Sequence, residues 1–253
     1  MQINVPKTLI GLLIAGVVSA ILFPLAIYFI GLAVAPPPPT PASTAVPPLI
    51  AEAIWARAEG GTATALTPVT HLSMARFVGC MAIEDFYDTT PGDAQRVSAC
   101  REYMPALQGV EYLAGLQMRD AGLKTSFGEG LGRFSTLVWV THSWTKAEFL
   151  NTIAERGEFG AGVRGAETAS RRYFGRAAGE LTLPQAALLA AFIGDRVSVF
   201  DPWCGPAGAA AMRLGVLQRM RENRAIDDAA LKAANTSGLE LGPPPADHQP
   251  CRD

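Results

Sequence analysis

The groups of this chain that could do acid–base chemistry are widely spread. Glu84 and Asp85 stand side by side in the run Ala82–Asp85. Neighbours on a helix point in different directions, so this pair offers one carboxylate to a ligand rather than two converging ones. A single carboxylate can remove a proton, and guanidinium groups suit phosphate-type anions. The arginines with a candidate role are Arg133, Arg164, Arg171, Arg172, Arg176 and Arg213. By default a surface arginine is only a solvated charge. His71, His142 and His248 are too scattered for a metal site. Cys80, Cys100, Cys204 and Cys251 lack the close spacing of zinc ligands.

Helices must position these groups. Thr145 and Glu148 form a capping box ahead of Phe149, Leu150, Ile153 and Ala154, and Gly157 is placed to stop the turn, which predicts a helix over about 146–156. Thr182 and Gln185 form a second box, with Pro184 tolerated in the first turn. The following AALLAAFI is apolar nearly all round and must be buried. A third helix is expected over about 207–223, with Met212, Val216, Leu217 and Met220 on one face and Arg213 elsewhere. A short helix runs from Leu49 to Ala58, Asp227 caps a last one, and the tail from Gly238 reads as irregular. FSTLVWV at 134–140 is β-prone and stays ambiguous between strand and helix. The fold class is mainly α.

The N-terminus is different material. Thr8 to Ala35 carries no charged side chain. As a helix it would reach roughly 40 Å, against ~30 Å for a hydrocarbon core. Pro24 would kink it. The apolar run is about twice the length of a signal-peptide core (~7–15 residues), which favours a retained anchor. Lys7 and the N-terminal amine point to an N-inside, C-outside topology. Residues 36–48, PPPPTPASTAVPP, read as an extended spacer that holds the body off the bilayer. The expected organisation is 1–35 cytoplasmic stub and transmembrane anchor, 36–48 linker, 49–230 extracytoplasmic domain and 231–253 tail. The cysteines beyond the anchor fit an oxidising compartment. Three pairings are open, and proximity favours Cys80 with Cys100 and Cys204 with Cys251. The net charge of −2 and pI of about 6.0 provide no global positive field, which argues against a nucleic-acid partner.

The stretch Thr145–Phe192, densest in GAETASRRYFGRAAGELTLPQAALLAAF, is similar to the C-terminal half of the family 51 glycosyltransferases. These are the peptidoglycan transglycosylases of penicillin-binding proteins and of monofunctional polymerases. RLGVLQRMRENRAI, Arg213–Ile226, resembles the family's final arginine-containing helix. AIED resembles its first motif. The likeness spans about 160 residues and is strong over the later half. It implies a lysozyme-like helical domain, with one lobe over a smaller membrane-facing lobe, at the inner membrane with its domain in the periplasm. It also implies a lipid-linked disaccharide pyrophosphate or a glycan strand as partner, and other cell-wall synthesis proteins as further partners.

In such a reaction one carboxylate removes a proton from a sugar hydroxyl while cations stabilise the departing pyrophosphate. The resemblance puts Glu84 in the place of the catalytic base. Asp85, Gln117, Arg133, Arg176 and Arg213 fall in the substrate-binding set. Glu167 falls on an acidic position suited to holding an arginine.

The departures are specific. FYDTTPGD after Asp85 lacks the family's histidine. GVEYLAGLQMRD is a remnant of the Ser/Thr/Gln-rich motif, with Gln117 as its polar residue. The third motif falls on EGLGR, with charge order reversed and Arg133 where a second glutamate belongs. The glycines around Glu129 imply a flexible loop there. Asn151 replaces a further glutamate. No organic cofactor is implied, and a divalent cation is left open because its expected acidic ligand is missing.

Three functions follow. One is a glycosyltransferase using Glu84. Another is a catalytically impaired relative that binds precursor or glycan and scaffolds cell-wall machinery. The third is a lysozyme-like hydrolase, which normally needs two carboxylates ~5–10 Å apart. The discriminating observation is whether a second carboxylate faces the cleft.

Overall fold

In the computed structural model the described residues are 7–70, 72–73, 76, 79–80, 104–123, 126–160, 162–194, 201–246, 248 and 251, without the side chains of 7–14, 17, 20 and 21. Among them the chain is helical: α1 Lys7–Val34, α2 Pro48–Arg57, α3 Leu107–Asp120, α4 Ser126–Ser143, α5 Lys146–Arg156, α6 Ala166–Phe174, a 3₁₀ turn Ala178–Glu180, α7 Leu183–Ala191, α8 Pro206–Glu222 and α9 Asp228–Thr236. The described residues hold no named strand, only the isolated bridges Glu158 with Arg164 and Phe159 with Ile193. The segment 134–140 is therefore helical, inside α4. Its β-branched residues lose little there, because tertiary packing overrides a propensity of tenths of a kcal/mol.

The helices form two groups. α7 is the hub of the larger one, packed by α2, α6, α8 and α9, with α5 bridging α2 and α6. Every α7 residue from Gln185 to Ala191 is buried, as its all-round apolar surface requires. The capping box at Thr145 is formed in both directions, and at Thr182 the Gln185 side chain accepts the Thr182 N–H at 3.0 Å. The smaller group is α1, α4 and α3, with α4 in the middle. The mainly helical class expected from the sequence is thus observed among the described residues.

Two features of the smaller group depart from expectation. Glu129–Arg133 is helical rather than a loop. Gly132 serves close packing, lying against Met118 of α3 and Ala35, whereas Gly130 faces open space; across the same contact Gly31 of α1 sits against Leu131 and Ser135. The Ser135 hydroxyl donates to the Tyr28 carbonyl at 3.0 Å. The second departure concerns the Pro-rich segment, which is docked onto the body instead of standing free. Ala42 is buried, and its N–H donates to Thr152 Oγ1 at 2.9 Å. The Val46 N–H donates to Asn151 Oδ1 at 3.0 Å, and Gln117 Nε2 donates to the Pro37 carbonyl at 3.0 Å. Polyproline-like backbone leaves its polar groups unpaired, and these side chains meet them.

α1 is 28 residues long with Lys7 as its one charged residue. Among the described residues no helix is long and apolar enough to cross a membrane. The side chains of 7–14, 17, 20 and 21, in the first half of α1, lie outside the described residues.

The Cys204–Cys251 disulfide is formed. Cys80 is also disulfide-bonded. The irregular tail is well tied down: Gly242 N–H donates to the Tyr173 carbonyl at 2.8 Å, and Trp203 Nε1 donates to the Gly242 carbonyl at 3.0 Å.

Candidate functional site

A cavity of about 290 Å³ opens where the two helix groups meet. Its floor is apolar, from Ile54, Ala58, Phe149 and Ile153, and its rim is polar, from Arg57, Gln108, Glu111, Tyr112 and Arg133. An apolar cleft with a few convergent polar groups is the usual form of a ligand site.

Local sequence builds this junction. At Gly109 a Cβ would stand 2.6 Å from Ala58 Cβ and 2.7 Å from Phe149 Cζ, so only glycine lets α3 approach α2 and α5 so closely. Glu59 (φ 61°) ends α2 and Ala106 (φ 64°) begins α3, both left-handed. The Ala106 N–H donates to the Glu59 carbonyl at 3.2 Å. A non-glycine residue in this region costs roughly 1–2 kcal/mol, and such strain persists where the surrounding structure fixes it, often beside functional sites.

The polar rim is anchored from behind. Tyr112 Oη accepts the Glu158 N–H at 2.7 Å. Burial pushes its phenol pKa up, against the lowering effect of that hydrogen bond. Arg164 clasps Asp120 with both Nη atoms, at 2.6 and 3.0 Å, and Glu158 at 3.2 Å, while Arg119 reaches Glu158 at 3.2 Å. The Asp120 carboxylate beside it holds the Arg164 pKa above its ordinary value. Arg57 Nη2 donates to the Ile193 carbonyl at 3.2 Å. Arg133 pairs with Glu129 at 3.4 Å, both in part exposed. A pair of that kind is worth little in water and leaves the guanidinium able to take a better anion.

Of the residues expected in the site, Arg133 alone lines this cavity among the described residues. Glu84 and Asp85 lie outside the described residues. Gln117 is engaged with the linker, as above. Arg176 is exposed after the left-handed Gly175 that ends α6, away from the cavity lining.

Arg213 is 2 % exposed and donates to three carbonyls, Gly238 at 2.7 Å, Asn235 at 3.1 Å and Ser237 at 3.0 Å. It closes the C-terminal end of α9, where unpaired carbonyls and the helix dipole favour a cation. Burial pushes its pKa down, opposed by Glu240. Its place on the buried face of α8 beside Val216, Leu217 and Met220 is the reverse of the sequence expectation.

Glu167 does hold an arginine: it pairs with Arg171 at 2.7 Å and accepts the Ala178 N–H at 2.8 Å. That backbone hydrogen bond, with Arg171 contributing, keeps its carboxyl below the usual range.

Sequence reasoning missed Glu111. It lies in the GVEYLAGLQMRD stretch, four residues before Gly115, where Arg133 crosses α3. Its spacing from Gln108 and Tyr112 marks a common helix face, a signal masked by attention to hydroxyl and amide residues. Asp201, Cys204 and His248 also come together. The Cys204 sulfur is already in a disulfide, so this group lacks a thiolate ligand.

Comparison with known proteins bears on the same half of the chain. Residues 132–221 match the Transglycosylase family. The biosynthetic peptidoglycan transglycosylase of Pectobacterium atrosepticum is 46 % identical over 54 residues, 21 % of this chain and 22 % of that protein. Its counterpart from Rhodospirillum centenum is 33 % identical over 107 residues, 40 % of this chain and 46 % of that protein. Penicillin-binding protein 1A of Mycobacterium tuberculosis is 39 % identical over 83 residues, 33 % of this chain and 10 % of that protein. The matched stretch spans about a fifth of the Pectobacterium atrosepticum protein and less than half of the Rhodospirillum centenum one. The family likeness read from Thr145–Phe192 is shown over that partial length: the segment 132–221, which carries Arg133 and α7, matches the transglycosylase family.

Proposed function

We propose that this protein is a membrane-anchored, peptidoglycan glycosyltransferase-like protein that binds lipid-linked disaccharide pyrophosphate at the outer face of the inner membrane. The observation that carries the reading is Arg133. It faces the cleft at the position where the resemblance calls for a second glutamate. A guanidinium can neither accept a proton nor ligate a metal, but it does hold diphosphate oxygens. Binding is therefore favoured over polymerisation. The family match and the names of the relatives support a cell-wall glycan context.

α1 is the anchor in this reading. Its 28 residues would extend ~42 Å at ~1.5 Å per residue, enough for a hydrocarbon core of ~30 Å. Docking of α4 on α1 and of the Pro-rich segment on α3 and α5 would keep the cleft close to the bilayer, where a lipid-tailed ligand is met. The Cys204–Cys251 bond fits an oxidising compartment.

A second reading is an active polymerase with Glu84 as base. Glu111 favours it, as a carboxylate lining the cleft.

The test is purified full-length protein in detergent micelles with lipid-linked disaccharide pyrophosphate. Retention of the precursor, lost on Arg133→Ala, with no glycan polymer formed, is the expected result. Polymer formation that Glu84→Gln abolishes would establish the second reading instead. Failure to retain precursor or to polymerise it would remove both.

A further inference from the structure

Within the binding reading above, the geometry points to Glu111 as the residue that recognises the sugar. It would accept hydrogen bonds from hydroxyls of a glycan unit whose anionic group sits on Arg133.

Gln108, Glu111 and Tyr112 sit three and four residues apart on α3, so they share one helix face, and all three line the cleft. Gly115 lies one turn further along. The Arg133 guanidinium crosses over it, since a Cβ at Gly115 would stand 3.4 Å from Arg133 Cζ and Nη2. Glu111 and this guanidinium are thus offset along α3 by about one turn, ~5–6 Å. They do not pair with each other. Arg133 is turned to Glu129 at 3.4 Å. The Glu111 carboxylate is exposed and has no hydrogen bond or ion pair among the described residues.

An acceptor and an anion-binding donor held one turn apart along a cleft wall match the two ends of a sugar that carries a phosphate or a carboxylate. The ionised carboxylate accepts hydrogen bonds and donates none, so it favours hydroxyls. It also repels a second anion, which fixes the orientation of the ligand: anionic group toward α4, sugar hydroxyls toward the first turns of α3. The apolar floor of Ile54, Phe149 and Ile153 suits the C–H face of a pyranose ring.

The sugar could reach the cleft on a lipid carrier or as part of a glycan strand, and three probes separate these sources. They are a short-chain lipid-linked disaccharide pyrophosphate, the same prenyl pyrophosphate without sugar, and a soluble glycan fragment bearing lactyl carboxylates. Affinities are measured on the full chain in detergent, for the unaltered protein and for Glu111→Ala, Glu111→Gln and Arg133→Ala. Loss of one hydrogen bond to a charged acceptor weakens binding about tenfold or more.

Glu111→Ala is expected to weaken the sugar-bearing probes by about that factor and to leave the sugarless prenyl pyrophosphate unchanged. Glu111→Gln, which keeps an acceptor oxygen, recovers part of the loss. Arg133→Ala weakens both pyrophosphates. Whichever sugar-bearing probe binds unaltered protein and responds to Glu111→Ala names the source. An equal effect of Glu111→Ala on sugar-bearing and sugarless probes, or none on either, overturns the assignment while leaving the binding reading intact. If the unaltered protein retains none of the probes, both fall.

Discussion

The two helix groups use their charged residues in opposite ways. Around α7, three arginines are tied to protein groups. Arg213 holds three carbonyls at the end of α9, Arg221 pairs with Asp228 at 2.7 Å, and Arg171 pairs with Glu167 at 2.7 Å. On the α3–α4 wall, Arg133 has only a loose helical partner and Glu111 has none among the described residues. A charge saturated by protein groups has nothing left for a ligand, whereas a half-exposed one beside an apolar floor does. The family match begins at residue 132 and runs through the hub. Of the two wall residues, Arg133 stands just inside that match and Glu111 before it.

The comparison can be broken most decisively at its two arginines. Arg213→Ala removes three charge-assisted hydrogen bonds and leaves the α9 carbonyls unpaired. Stability should fall by about 3–4 kcal/mol, read by urea denaturation, while the fraction that stays folded keeps its affinity for precursor. Arg133→Ala should do the opposite, weakening precursor binding at least tenfold with a stability change within about 0.5 kcal/mol. If both variants lost stability alone, the division between structural and ligand-facing arginines would be wrong.

The tail offers the next test of the hub. The Cys204–Cys251 bond closes a separation of 47 residues. Loop entropy assigns it about 3–4 kcal/mol. The paired change of both cysteines to serine should lower the denaturation midpoint accordingly and expose Trp203, whose indole N–H is bonded to Gly242, as a red-shifted emission. Ligand affinity should be unaffected, since the cleft lies elsewhere.

Gly109→Ala examines the junction between the groups. The added methyl meets Ala58 and Phe149 inside 2.8 Å, which should cost about 1–3 kcal/mol of overpacking strain. Because α3 carries Glu111, the affinity for sugar-bearing ligand should fall with it.

How far the sequence foretold all this depended on the range of the interactions. The helices at Lys146–Arg156 and Leu183–Ala191 were readable because capping boxes and apolar periodicity act within four residues. Arg213 was misread because arginine is seldom fully buried, and its three acceptors lie 22 to 25 residues away. The docked linker was invisible for the same reason: Val46 and Asn151 are 105 residues apart. The glycines around Glu129 suggested a loop, whereas the segment is helical and Gly132 packs against Met118 of α3. Glu111 escaped notice because its significance lies in what Gly115 and Arg133 do across the groove, which no local pattern records.

A smaller effect separates the groups by pH. Hydrogen bonds from the Thr145 backbone and side chain hold the Glu148 carboxyl below its ordinary value. The Ala178 N–H and Arg171 do the same for Glu167. Both carboxylates belong to the larger group. A carboxylate with a depressed folded pKa contributes stability that is complete above the unfolded value of ~4.3 and is lost as pH falls through the folded value. Unfolding midpoints measured from pH 6 to pH 3 should therefore drop as the solution is acidified. In Glu148→Gln/Glu167→Gln the drop should be shallower, with the double variant no more stable than the parent at pH 6. An unchanged slope would mean that these caps are already matched in the unfolded chain, and that the larger group owes its order to the burial around α7 alone.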